Sequence, residues 1–139
     1  MKLSDIGKPN PQTFEFIDPF TESPTGIFIT VHALKSRIGK EAISQMQHSI
    51  LRLRQDENNL IEIDGKQELK PELEAEEKIK CIADITDSWH GVEDDNGKQI
   101  KPSKEAFIKA FTQSSELMNA VLTFASNLAN FTAQSVNDL

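Results

Sequence analysis

Residues 82–102 read IADITDSWHGVEDDNGKQIKP, and their interpretation decides the fold. The segment holds the single tryptophan, Trp89, directly before His90-Gly91. An acidic stretch follows and closes on Asn96-Gly97, after which Pro102-Ser103 opens an apolar helical pattern. The layout predicts a helix end, a tight turn and a helix start. From about Leu69 to Trp89, the apolar residues Leu73, Ile79, Ile82 and Trp89 follow helical spacing. Pro71 suits the first turn of that helix, where its missing N–H breaks no bond. Glu72, Glu74, Glu76 and Glu77 suit the positive end of the helix dipole. Trp89 then anchors the helix end, its indole N–H on a nearby carbonyl; exposed, it would be a contact hot spot. Gly91 reads as the C-terminal stop of the helix, Asp95-Asn96-Gly97 as a tight turn and Ser103 as the next N-cap.

Outward from this segment, residues 26–34 (GIFITVHAL) carry the clearest strand signal. They are rich in β-branched residues, with Ile27, Ile29 and Val31 on one face and Phe28, Thr30 and His32 on the other. Residues 13–18 (TFEFID) alternate around Phe14 and Phe16, and the intervening Pro19, Pro24 and Gly26 mark a loop. Residues 13–34 are therefore expected to form an antiparallel hairpin. Ser36 is a plausible N-cap for a helix carrying Ile38, Ala42, Met46, Ile50 and Leu53. Residues 60–63 (LIEI) suit a short strand, and Asp64-Gly65 a turn.

Beyond Ser103, Phe107, Ile108 and Phe111 mark one helix, and Ser114 or Ser115 could cap another. In that last helix Leu117, Val121, Phe124, Leu128 and Phe131 form a wide apolar stripe beside Met118, Leu122 and Ala125. The stripe either packs on the core of the domain or also joins a partner chain. The expected fold is mainly α with a small N-terminal antiparallel β element (α+β), about four helices packed as one compact domain over residues 1–139. Residues 1–12 are expected to be flexible, and residues 36–139 to form the helical part, with a turn region at 90–102.

Composition narrows the function. At 139 residues the chain is one domain, able to bury roughly 70% of its unfolded surface. A formal charge of −7 argues against nucleic acid, which needs a concentrated basic face. The locally basic segment, with Lys35, Arg37, Lys40, Arg52 and Arg54, spreads its charge around a helix as a solvated face. No stretch approaches the ~18 apolar residues of a membrane span, and the N-terminus lacks an apolar signal core, so a soluble intracellular protein is expected.

Nothing in the sequence assembles covalent chemistry. Cys81 sits among Ile79, Ile82 and Ala83 and reads as a buried structural thiol. His32, His48 and His90 are far apart, without zinc spacing. Asp84, Asp87, Asp94 and Asp95 lack the ligand alternation of a calcium loop and read as a solvated acidic turn. No glycine-rich phosphate loop or nucleophile elbow occurs. No catalytic residue, metal or cofactor is expected.

Two segments together resemble the tail assembly chaperones of long-tailed (siphovirus-type) bacteriophages. One is Ser23-Pro24-Thr25-Gly26 followed by the strand Ile27–Val31 and a polar step into a helix. The other runs from Ile82-Ala83 through Trp89-His90-Gly91-Val92 and the acidic turn to Gly97, then Lys98–Pro102 and Ser103. Asn130-Phe131 after a helix also fits, so the resemblance spans about residues 18–131. The polar lead over residues 1–17 departs from the family pattern.

The resemblance implies a non-catalytic assembly factor, the short unextended product. It would bind the tape measure protein, keep it soluble in the host cytoplasm and be absent from the finished virion. A longer frameshifted form would help to recruit tail tube protein, and self-association is expected. The proposed client surface comprises Leu117, Val121, Phe124, Leu128 and Phe131, with the exposed side of the Ile38–Leu53 helix. A different class, a small helical adaptor that self-associates through its C-terminal helix, remains the alternative. A structural joint made by Gly26, Trp89, Gly91, Gly97, Pro102 and Ser103 carries the resemblance.

Overall fold

The computed structural model describes residues 2–5 and 9–132. Part of the expected flexible N-terminus, residues 1 and 6–8, lies outside the described residues, as do residues 133–139. After a short 3-10 turn at Leu3–Asp5, strands β1 (Gln12–Ile17) and β2 (Pro24–Val31) form an antiparallel hairpin. Its loop is closed by Asp18, whose backbone N–H donates to the Ser23 carbonyl at 3.0 Å, while its carboxylate accepts from the Phe20 N–H at 2.8 Å.

Helix α1 (Arg37–Arg54) starts at Ser36, whose hydroxyl accepts the Gly39 N–H at 3.1 Å. Gly39 is required by close approach: a Cβ there would strike the carbonyls of Ala33 and Leu34. Arg52 and Arg54 complement the negative end of the α1 dipole. A 3-10 turn (Glu57–Asn59) leads into a second hairpin, β3 (Leu60–Ile63) and β4 (Lys66–Leu69), turned by Asp64-Gly65, both at positive φ. The hairpin is tied to the end of α1 by Arg54–Glu68 at 3.5 Å.

Helix α2 (Pro71–Ile85) opens with Pro71 and an acidic first turn. It runs straight into strand β5 (Thr86–His90), which pairs antiparallel with β2 to give a sheet of order β1-β2-β5. Helices α3 (Lys104–Gln113) and α4 (Ser115–Ser126) follow, capped by Ser103 and Ser114 through the Ala106 and Leu117 N–H groups.

This corrects the mainly α expectation. Among the described residues the protein is a mixed α and β chain with two antiparallel sheets, and its strands are not confined to the N-terminus. The departure is at residues 86–90. Trp89 does not end a helix; it sits in β5 opposite Ile29. Helix α2 stops at Ile85 because the sheet takes over its last carbonyl, which accepts the His32 N–H at 2.8 Å. The Thr86 hydroxyl donates back to the Ile82 carbonyl at 2.8 Å while its backbone turns extended. Gly91 is accordingly not a helix stop but the first residue after a strand.

One contiguous core joins the sheet to α1–α4. Ile29 and Val31 from β2, Ile82 and Ile85 from α2, Phe111 from α3 and Val121 from α4 are almost fully buried. Each such side chain contributes about 1.5–3 kcal/mol relative to exposure. The Trp89 ring meets Phe107 edge-on at 4.8 Å, and its indole N–H donates to the Ile100 carbonyl at 2.8 Å.

Candidate functional site

β1 is an edge strand. It pairs with β2 on one side, and its other side faces α4 across an open groove of about 560 Å3. The floor is aromatic: Phe14 of β1 stacks on Phe124 of α4 with centroids 4.6 Å apart, and Phe131 meets Phe124 edge-on at 5.6 Å. The α4 wall shows Asn119, Ala120 and Thr123, which share one helix face. Ile17, 46% exposed, closes β1 at the groove, and Pro19 in the following loop also lines it. Glu15 and Glu116 stand at the groove, and the Glu15 carboxylate is held by the Gly26 N–H at 3.0 Å.

The structure divides the expected client surface. Leu117, Val121 and Phe131 are buried in the core and present nothing to a partner in the folded chain. Phe124 is half-buried at the groove, and Leu128 remains exposed. The stripe splits because the helix breaks: α4 ends at Ser126, and Asn127 restarts a turn by accepting the Ala129 N–H at 3.1 Å. That restart carries Phe131 back under Phe124. Of the five stripe residues, the adaptor alternative, self-association through this helix, is left with Phe124 and Leu128, beside the partly buried Met118 and Leu122. On α1, Ile38 and Leu51 are exposed, while Ala42 is buried and Met46 packs against the core that contains Cys81.

The groove was not legible from the sequence. Phe14 and Phe16 read as hairpin residues, and nothing in their spacing says that α4 lies beside them. The surviving signal was the alternation of large apolar residues in a short strand that has no second neighbour among the described strands.

The remaining candidates fall into structural roles. Gly26 approaches Gly91, and Trp89 pairs with Ile29, where β2 and β5 run side by side. Gly97, at φ +78°, turns the loop that Asp94 closes, its carboxylate accepting the N–H groups of Asn96 and Lys98 at 2.9 Å each. Pro102 leads to the Ser103 cap. Asp84 pairs with Lys104 at 2.7 Å, and Asp87 lies 3.6 Å from His32. Among the described residues, no group of three His, Cys, Asp or Glu side chains converges as a metal site. No helix among them is long and apolar enough to cross a membrane. The Cys81 thiol is pushed above its ordinary range by burial first and by the nearby Asp84 carboxylate second.

A family model described as YdaY prophage protein matches residues 37–139. The match covers α1 through α4 and leaves β1 and β2 ahead of it. No curated protein and no solved structure matches the chain.

Proposed function

The chain belongs to the YdaY prophage protein family and is phage-derived, and from that premise we propose that it is a non-catalytic tail assembly chaperone. It binds the tape measure protein, holds it soluble in the host cytoplasm and is released before the virion is complete. Tail tube subunits are recruited with the help of a longer frameshifted product, and several copies self-associate along the client.

The observation that carries this reading is the groove between β1 and α4. An apolar cleft with an aromatic floor, set in a chain of net charge −7, can cover an apolar client face while the surface charge keeps the complex dispersed. The resemblance of the 23–31 and 82–103 segments to tail chaperones supplies the client.

The test is co-expression with the tape measure protein of the same prophage. Wild-type chain is expected to raise the soluble fraction of the client and to co-purify with it. Thr123→Trp, which fills the groove from an exposed α4 position, is expected to fold and to lose that effect. A client that stays insoluble and unbound with wild-type chain overturns the proposal. Equal activity of the folded Thr123→Trp variant removes the groove from it.

A further inference from the structure

We propose that the groove takes an extended segment of alternating apolar and basic residues, added as a strand to the free edge of β1. The inference rests on the chaperone reading and specifies the conformation and chemistry of what is held.

Four consecutive residues, Phe14, Glu15, Phe16 and Ile17, line the groove. Successive side chains of a strand point to opposite faces. Phe14 and Glu15 lie ahead of the bulge in this strand and so face opposite sides; a cleft that touches both runs along the strand edge rather than under one face. That edge has no neighbour among the described strands, and alternate residues of such an edge direct their N–H and C=O groups outward. A helix laid in the cleft would leave these groups unpaired, whereas an added strand satisfies them and gains main-chain hydrogen bonds.

Side-chain chemistry points the same way. Every second residue of an added strand would face the Phe14–Phe124 floor, which asks for apolar groups. The residues between would face the rim. Among the described residues, the charged groups lining the groove are Glu15 and Glu116, so Lys or Arg is the matching choice. Pro11 and Pro19 bracket β1, and a bulge lies between Glu15 and Ile17. Devices of this kind limit an exposed edge to a short partner and oppose runaway pairing. The segment is thus no longer than the six residues of β1 itself.

The experiment titrates the full chain with a ten-residue synthetic peptide alternating Val and Lys, followed by amide hydrogen exchange. Outward amides within Gln12–Ile17 are expected to slow by about tenfold or more on binding. N-methylating one alternating set of peptide residues should abolish binding, and N-methylating the other set should be tolerated. A Val/Glu peptide should bind more weakly. Glu116→Gln should reduce the preference for Lys over Glu by about two- to fivefold, as expected for an exposed ion pair. Failure of the Val/Lys peptide to bind, equal tolerance of both N-methyl sets, or a gain of helical circular dichroism on binding would each overturn strand addition. The chaperone reading falls only with the client-solubility experiment, so the two fail separately.

Discussion

The carbonyl oxygen of Gly26 occupies the space that a Cβ atom on residue 91 would take. Gly26 lies near the start of β2, and Gly91 directly follows β5, at φ +87°. The two glycines come from the two separate motifs on which the chaperone resemblance rests. Pairing of β2 with β5 makes those motifs one structural unit, in which the Gly26 carbonyl comes too close for any side chain at position 91.

Gly91→Ala is therefore expected to destabilise more than Gly97→Ala. Both glycines are left-handed, a conformation that costs about 1–2 kcal/mol for an L residue. At Gly97 nothing lies within 4 Å of the added Cβ. At Gly91 the β2 backbone must also shift. Thermal melts followed by circular dichroism should show the larger Tm loss for Gly91→Ala. Equal losses would contradict the close approach.

Val121→Asp and Leu128→Asp should behave oppositely. Val121 is fully buried, so an aspartate there is an unpaired buried charge costing more than about 3 kcal/mol, a large share of a typical domain stability. Leu128 is 43% exposed and should accept the charge with little loss. Soluble yield and urea midpoints check this. A cooperatively folded Val121→Asp protein would disprove the assigned burial.

Trp89→Phe should lose about 1–3 kcal/mol, because the Ile100 carbonyl forfeits its indole donor. The wild-type tryptophan, 7% exposed, should fluoresce at short wavelength and resist acrylamide quenching until the chain unfolds. Free quenching in the native state would place Trp89 on the surface.

Cys81 should be labelled slowly by thiol reagents near neutral pH, since burial and Asp84 both disfavour the thiolate. The sign of the linked pH effect follows. The raised folded pKa contributes stability fully present below the unfolded value of 9.0 and lost as pH rises through the folded pKa. Cys81→Ala should flatten the decline in stability above about pH 9. Rapid native labelling, or an unchanged alkaline decline in the variant, would argue against a protonated buried thiol.

Elements with local causes were readable in the sequence. Ser36, Ser103 and Ser114 each accept the N–H three residues on, and each starts a helix as its side-chain chemistry dictates. The β-branched run at Ile27–Val31 formed a strand, and Asp64-Gly65 made a turn. The Lys66–Leu69 partner of the second hairpin was not readable, because Lys-Gln-Glu-Leu has almost no apolar alternation. The switch from helix to strand at Thr86 was also hidden. Ile79, Ile82, Ile85 and Trp89 satisfy a helical period equally well, and short apolar patterns of this kind serve either structure.

The groove between β1 and α4 shows the same division. Sequence alone determined that the C-terminal segment carries a wide apolar stripe at helical spacing, of which Leu117, Val121 and Phe124 lie on α4. Sequence alone also determined the helix starts and the excess of negative charge. Tertiary structure decided which part of the stripe turns inward: Val121 and Leu128 are both apolar, but Val121 on α4 is covered and Leu128, past the break in the helix, is not. It also decided that the edge of β1 beside Phe124 has no neighbour among the described strands, and that the Gly26 carbonyl fills the place of a Gly91 side chain. Such features depend on contacts between residues distant in the chain, and no local propensity encodes which strand finds which neighbour.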